Sequence, residues 1–130
     1  MTKDEHIAYW VEESDRDLLA MQSLFENQHL TWALFVGHLV LEKLLKALYV
    51  KKADIQVPRV HNLLKIARDC GLQLTIEQED FLLEATTYNL KGRYPDYKLS
   101  FHRKATVEFT SEKIDRIKEM RQWLKEQLAA

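Results

Sequence analysis

The stretch from Ala33 to Val50 is apolar on almost every side of the helix it would form, and this constrains the fold more than any other feature of the chain. An ordinary surface helix shows one apolar stripe and one polar face, whereas a helix that is apolar nearly all round has to be packed by neighbours on several sides. The interruptions are His38, Glu42 and Lys46, spaced at i, i+4 and i+8, with Lys43 beside them. They make a polar seam along an otherwise buried rod. The predicted helix is capped by Thr31 and runs to about Lys52.

Partners for that rod are present on both sides. Thr2 with Glu5 forms the pattern of a capping box, in which a hydroxyl and a carboxylate each bond the other's backbone N–H. Ile7, Val11, Leu18, Met21 and Phe25 follow as one apolar stripe, with Ser14 in the skipped position. After a connector ending near Pro58, a short helix is predicted from about His61 to Cys70, stopped by Gly71. Thr75 with Gln78 opens a further helix carrying Phe81, Leu82, Ala85 and Tyr88, which Gly92 and Pro95 end. A last helix from near Thr110 carries Ile114, Ile117, Met120, Leu124 and Leu128 on one side and alternating charges on the other.

With 3 Gly and 2 Pro in 130 residues, the chain lacks the turn residues of a β-rich fold. The expectation is an all-α fold: an antiparallel four-helix up-and-down bundle with one additional short helix, as a single domain over residues 1–130. The long apolar stretch is broken by charges, so no membrane span is expected. Acidic residues near the start do not read as a targeting segment. The lone Cys70 fits a reducing compartment and a buried, unreactive thiol. The expected location is the cytoplasm.

The net charge of −1 excludes a globally basic surface, so affinity for phosphate must be local. Residues 91–104, KGRYPDYKLSFHRK, hold five basic residues against one acid and interleave them with Tyr94, Tyr97 and Phe101. Cations supply phosphate contacts and rings supply stacking surface, so the segment, expected as a long loop, suits anion or nucleotide binding. Its alternative is a plug of aromatics under a solvated basic rim. In the seam, Glu42 precedes Lys46 by the four residues that favour a helical ion pair, which either braces the interior or holds Lys46 or Lys43 ready for phosphate. His61 either caps a helix or reaches into a site. The five histidines lack metal-ligand spacing, and neither a metal nor a cofactor is expected.

Tyr9-Trp10, Asp17-Leu18 with Ala20, EKLLKAL over residues 42–48, His61-Asn62-Leu63, Arg93-Tyr94-Pro95-Asp96 and Trp123-Leu124-Lys125 occur in an order that resembles the HEPN family, in particular its RYPD-containing branch associated with minimal nucleotidyltransferases. The resemblance implies a bundle that binds nucleotide or RNA, usually as a homodimer, beside a separate small nucleotidyltransferase. The implied ligand contacts are Lys43, Lys46, His61, Arg93, Tyr94 and Tyr97. Many members are metal-independent ribonucleases of toxin type, with four to six residues intervening between an Arg and a His. Here Lys98, Leu99 and Ser100 stand where that His would fall, and His102 comes later. Arg93, His102 and His61 are therefore weak catalytic candidates. The expectation is a binding module, with ribonuclease and antitoxin-like structural protein as the alternatives.

Overall fold

A computed structural model of the chain describes residues 1–93 and 95–130, and all side chains except those of residues 92–98. The described residues form helices and no strand: α1 (Lys3–Glu26), α2 (Leu30–Lys52), α3 (Leu63–Asp69), α4 (Ile76–Arg93), α5 (Pro95–Lys104) and α6 (Val107–Ala129). The central rod is α2, which packs against each of the other helices. Leu34, Val40, Leu41, Leu45, Ala47, Leu48 and Val50 are fully buried along it.

Side-chain contacts fix the directions. Trp10 meets Lys46 and Ser14 meets Val40, so α1 runs opposite to α2. The Ser14 hydroxyl donates to the Val40 carbonyl at 2.7 Å, which satisfies a polar group lying within the apolar stripe. On α6, Ile117 lies against Gly37 and Leu128 accepts from Lys51, so α6 runs with α2. Phe81 meets Arg116 and Glu84 meets Lys113, so α4 opposes both. The long helices thus alternate in chain order as an up-and-down bundle.

Capping explains most boundaries. Thr2 and Glu5 form the reciprocal box, and Thr75 and Gln78 do the same before α4. Gly71, at φ 72°, takes the left-handed conformation after α3.

Three boundaries differ from expectation. The first is the start of α2, which begins at Leu30 after His29 without a side-chain cap, leaving Thr31 buried in the first turn. The entry is set instead by a tight turn, with Gln28 at φ 61°. Next, α6 begins at Val107, where Thr106 accepts from the Phe109 N–H at 3.1 Å, and Thr110 is buried within the helix. The largest difference is the 91–104 segment, which carries the ten-residue α5 in place of a loop. Pro95 opens that helix, at the position where its missing N–H costs nothing. Phe101 anchors it by stacking on Tyr88 at 5.7 Å.

Candidate functional site

Residues four apart on a helix lie on one face, so His38, Glu42 and Lys46 project from α2 toward the same neighbours. The chain entering α3 passes over them. Asn62, and not His61, caps α3 by accepting from the Lys65 N–H at 3.1 Å. His61 is therefore free to turn back onto α2. Its Nδ1 lies 2.7 Å from Glu42 Oε1, while Lys46 Nζ donates to Glu42 Oε2 at 3.0 Å. One carboxylate holds two bases, one on each oxygen.

His38 completes the network from beneath. Its Nε2 lies 3.0 Å from the His61 carbonyl oxygen, which only accepts, so Nε2 carries the proton and donates. That leaves His38 Nδ1 buried without a hydrogen-bond partner among the described residues. Burial depresses the pKa of His38 and outweighs the opposing pull of the His61 carbonyl and the Glu42 charge. His38 is thus a neutral donor, and its 3.5 Å approach to Glu42 is not an ion pair. Burial alone would raise the Glu42 carboxyl, but the hydrogen bonds from His61 and Lys46 prevail and hold it below its ordinary range.

The charged carboxylate settles the tautomer of His61. An ionised carboxylate accepts and never donates, so Nδ1 is the protonated nitrogen and Nε2 of the neutral ring is bare. The side chain as a whole is more than half exposed. This arrangement, a half-exposed imidazole oriented by a buried carboxylate, is suited to accepting a hydrogen bond or a proton.

Beside this network lies a cleft of about 390 Å³ between the start of α1, Lys46 and the connector. Tyr9 and Trp10 form one wall, their rings edge to face at 5.1 Å. Val57, Pro58 and Arg59 line the other. Lys46 Nζ lies 5.2 Å from the Trp10 ring centroid and joins cleft to network. Arg59 is exposed and makes no ion pair or hydrogen bond with the described residues. A larger groove of about 500 Å³, between α4 and α6, is lined by Glu77, Asp80, Glu84 and Glu119 against one Arg116, which makes it unsuited to phosphate.

The structure therefore brings Lys46 and His61 together through Glu42. Lys43, one residue and 100° further round the helix, turns away toward α1 and pairs with Asp17 at 2.7 Å. His102 is exposed on α5 and takes no part in the network. The side chains of Arg93, Tyr94 and Tyr97 lie outside the described residues. Arg59 went unnoticed in the sequence, and Tyr9 and Trp10 stood out only as motif residues. Two adjacent aromatics off the apolar stripe of the first helix were the available signal. No group of His, Cys, Asp and Glu among the described residues is arranged to hold a metal ion, and no helix among them is long and apolar enough to cross a membrane.

The comparisons with known proteins agree with this architecture. Among solved structures, the crystal structure of TT1696 from Thermus thermophilus superposes with a TM-score of 0.78 at 21% identity, covering 92% of this chain and 96% of that one. Among curated proteins, none matches the sequence. The family model for the HEPN domain matches residues 7–127, nearly the full length, and the chain belongs to the HEPN family.

Proposed function

We propose that this protein is a nucleotide- or RNA-binding module that uses the cleft beside the Glu42 network. The carrying observation is the meeting of the Tyr9–Trp10 pair with two cations of different kinds, the anchored Lys46 and the exposed Arg59. A base stacks on the exposed aromatic surface, Lys46 and Arg59 take the phosphate, and His61 orients the sugar end. The cleft volume falls in the range of small-ligand sites. Arg93, Tyr94 and Tyr97 are further contacts proposed from the sequence. Family membership supports a nucleotide-directed role, because HEPN domains are nucleotide-binding or ribonuclease-type modules. In this reading the protein acts as a homodimer and presents its ligand to a separate small nucleotidyltransferase.

Calorimetric titration with nucleoside monophosphates and short RNAs tests the proposal. Wild type binds at low salt, and Lys46→Ala with Arg59→Ala removes most of the affinity. Absence of binding by wild type at low salt overturns it.

The His61–Glu42 pair favours one second reading, a metal-independent ribonuclease in which His61 transfers the proton. Incubation with RNA separates the two readings, since cleavage that vanishes in His61→Ala supports the enzyme. Equal background cleavage by both proteins removes it.

A further inference from the structure

The outer side of α4 carries a large, apolar, exposed residue at every seventh position. Ile76, Leu83 and Leu90 are 76%, 46% and 43% exposed, whereas Phe81, Leu82, Ala85 and Tyr88 of the same helix are buried against its neighbours. A seven-residue step drifts only about 20° round a helix, so the three side chains form one row about 21 Å long. Among the described residues no other helix carries more than two exposed large apolar side chains. Single exposed hydrophobics are ordinary, but an aligned row is a surface that another helix can cover.

Charge indicates which helix. Each member of the row is followed by an ionisable residue, Glu77, Glu84 and Lys91 in turn, so a charged row runs beside the apolar one. Glu84 is already held by Lys113 of the same chain at 3.1 Å. That leaves an acid at the start of α4 and a base near its end. The polarity extends beyond these two residues. Asp80 adds to the acidic start, and α5, which packs on the far end through Phe101 against Tyr88, closes in His102, Arg103 and Lys104. A second copy of α4 laid antiparallel on the first complements it along its whole length. Leu83 meets its own copy on the two-fold axis, Ile76 meets Leu90, and Glu77 meets Lys91. A parallel pairing sets acid on acid and base on base.

We propose that the Ile76–Leu83–Leu90 face of α4 is the contact through which two copies of this chain pair, antiparallel about a two-fold axis at Leu83. Such a contact is isologous, with both copies using the same patch. It rests on the homodimer in the reading above and adds to it the face and the sense of pairing. The row is one residue wide, so the dimer is of moderate strength and forms at micromolar protein. No α4 residue lines the cleft beside the Glu42 network, so substitutions on this face leave the contacts of that cleft in place.

Sedimentation equilibrium of the full chain over a micromolar concentration series tests the proposal, and cysteine cross-linking fixes the sense of pairing. Wild type is expected as a dimer in equilibrium with monomer. Leu83→Glu brings two carboxylates together on the axis and should weaken the dimer about a hundredfold or more. Leu83 is exposed, so the helix content of this variant by circular dichroism should match wild type. Leu83→Cys should oxidise to a disulfide-linked dimer. Ile76→Cys and Leu90→Cys should each stay unlinked alone and become linked when mixed. The native Cys70 does not compete, because it is buried and burial pushes its thiol up to about 11. A wild-type monomer throughout the series overturns the inference and the homodimer reading together. A dimer that Leu83→Glu leaves intact overturns this face alone, and self-linking of Ile76→Cys overturns the antiparallel sense. Nucleotide binding is measured separately by calorimetry, so its failure and the failure of this contact are told apart.

Discussion

His61 Nδ1 lies 2.7 Å from Glu42 Oε1, a contact that joins the α2 rod to the chain entering α3, nineteen residues later in sequence. The same carboxylate holds Lys46 on its other oxygen, so the position of the connector and the placement of a cleft cation depend on one buried charge.

That dependence sets the cost of neutralising it. Glu42 is 5% exposed and Lys46 13%, so Glu42→Gln strands a largely buried ammonium. The expected loss is about 2 kcal/mol in urea denaturation, since breaking a buried pair from one side leaves an uncompensated charge. Adding Lys46→Met removes that charge but keeps an apolar stem against Trp10, and the double variant should recover most of the loss. A double variant no more stable than Glu42→Gln contradicts the account.

The network also fixes the sign of the acid response. The folded-state pKa of His38 lies below its ordinary 6.5, so as pH falls past that value the unfolded chain takes up a proton that the folded chain refuses. Its contribution is present above 6.5 and is lost in acid. Glu42, depressed from 4.5, adds a loss of the same sign at lower pH. The urea midpoint should therefore drop between pH 7 and 5. His38→Gln, which retains a donor for the His61 carbonyl without titrating there, should show a shallower drop. An equally steep fall in both proteins assigns the effect elsewhere.

What the sequence made legible follows from how local each signal is. Helix type and the α2 rod were readable because apolar periodicity and caps such as Thr2–Glu5 and Thr75–Gln78 act within a few residues. The seam His38–Glu42–Lys46 was visible for the same reason. Its completion by His61 was not, because nothing in His61-Asn62-Leu63 states that Asn62 takes the cap and releases His61 toward α2. The α5 helix was hidden by its composition: the basic and aromatic residues read as a loop, while Pro95 at its first position and Phe101 on Tyr88 support a helix. The cleft wall was out of reach as well, since Arg59 meets the Trp10 side of α1 only through tertiary packing.

Gly37 shows how closely the rod is packed. A Cβ built there would lie 2.5 Å from Ile117 Cδ1 and 3.1 Å from Met21 Sδ, where α1, α2 and α6 meet. Gly37→Ala gains about 1 kcal/mol of helix propensity but incurs overpacking of about 1–3 kcal/mol. The obstructing atom is the end of one side chain, so Ile117→Val relieves it. The expected outcome is a double-mutant cycle with favourable coupling of about 1 kcal/mol: Ile117→Val destabilises wild type, and it is neutral or stabilising beside Gly37→Ala. Simple additivity by chemical denaturation would mean the bundle relaxes elsewhere.

Trp10 carries the last expectation, because it is where stacking and charge meet. Lys46 already lies over its ring at 5.2 Å, so a base arriving from the cleft shares that aromatic surface with a cation. Stacking is worth about 1–3 kcal/mol per base, so Trp10→Ala should weaken nucleotide binding about tenfold or more, and Trp10→Phe should restore part of it. Arg59→Ala acts on the other half of the ligand. Removing an exposed phosphate contact lowers affinity and also flattens its dependence on salt, since fewer counterions are released on binding. The two variants are thus separated by their salt series: Trp10→Ala shifts the line of log affinity against log salt without changing its slope, and Arg59→Ala makes the slope shallower. If both variants only shift the line in parallel, Arg59 does not touch phosphate and the cleft binds by its aromatic wall alone.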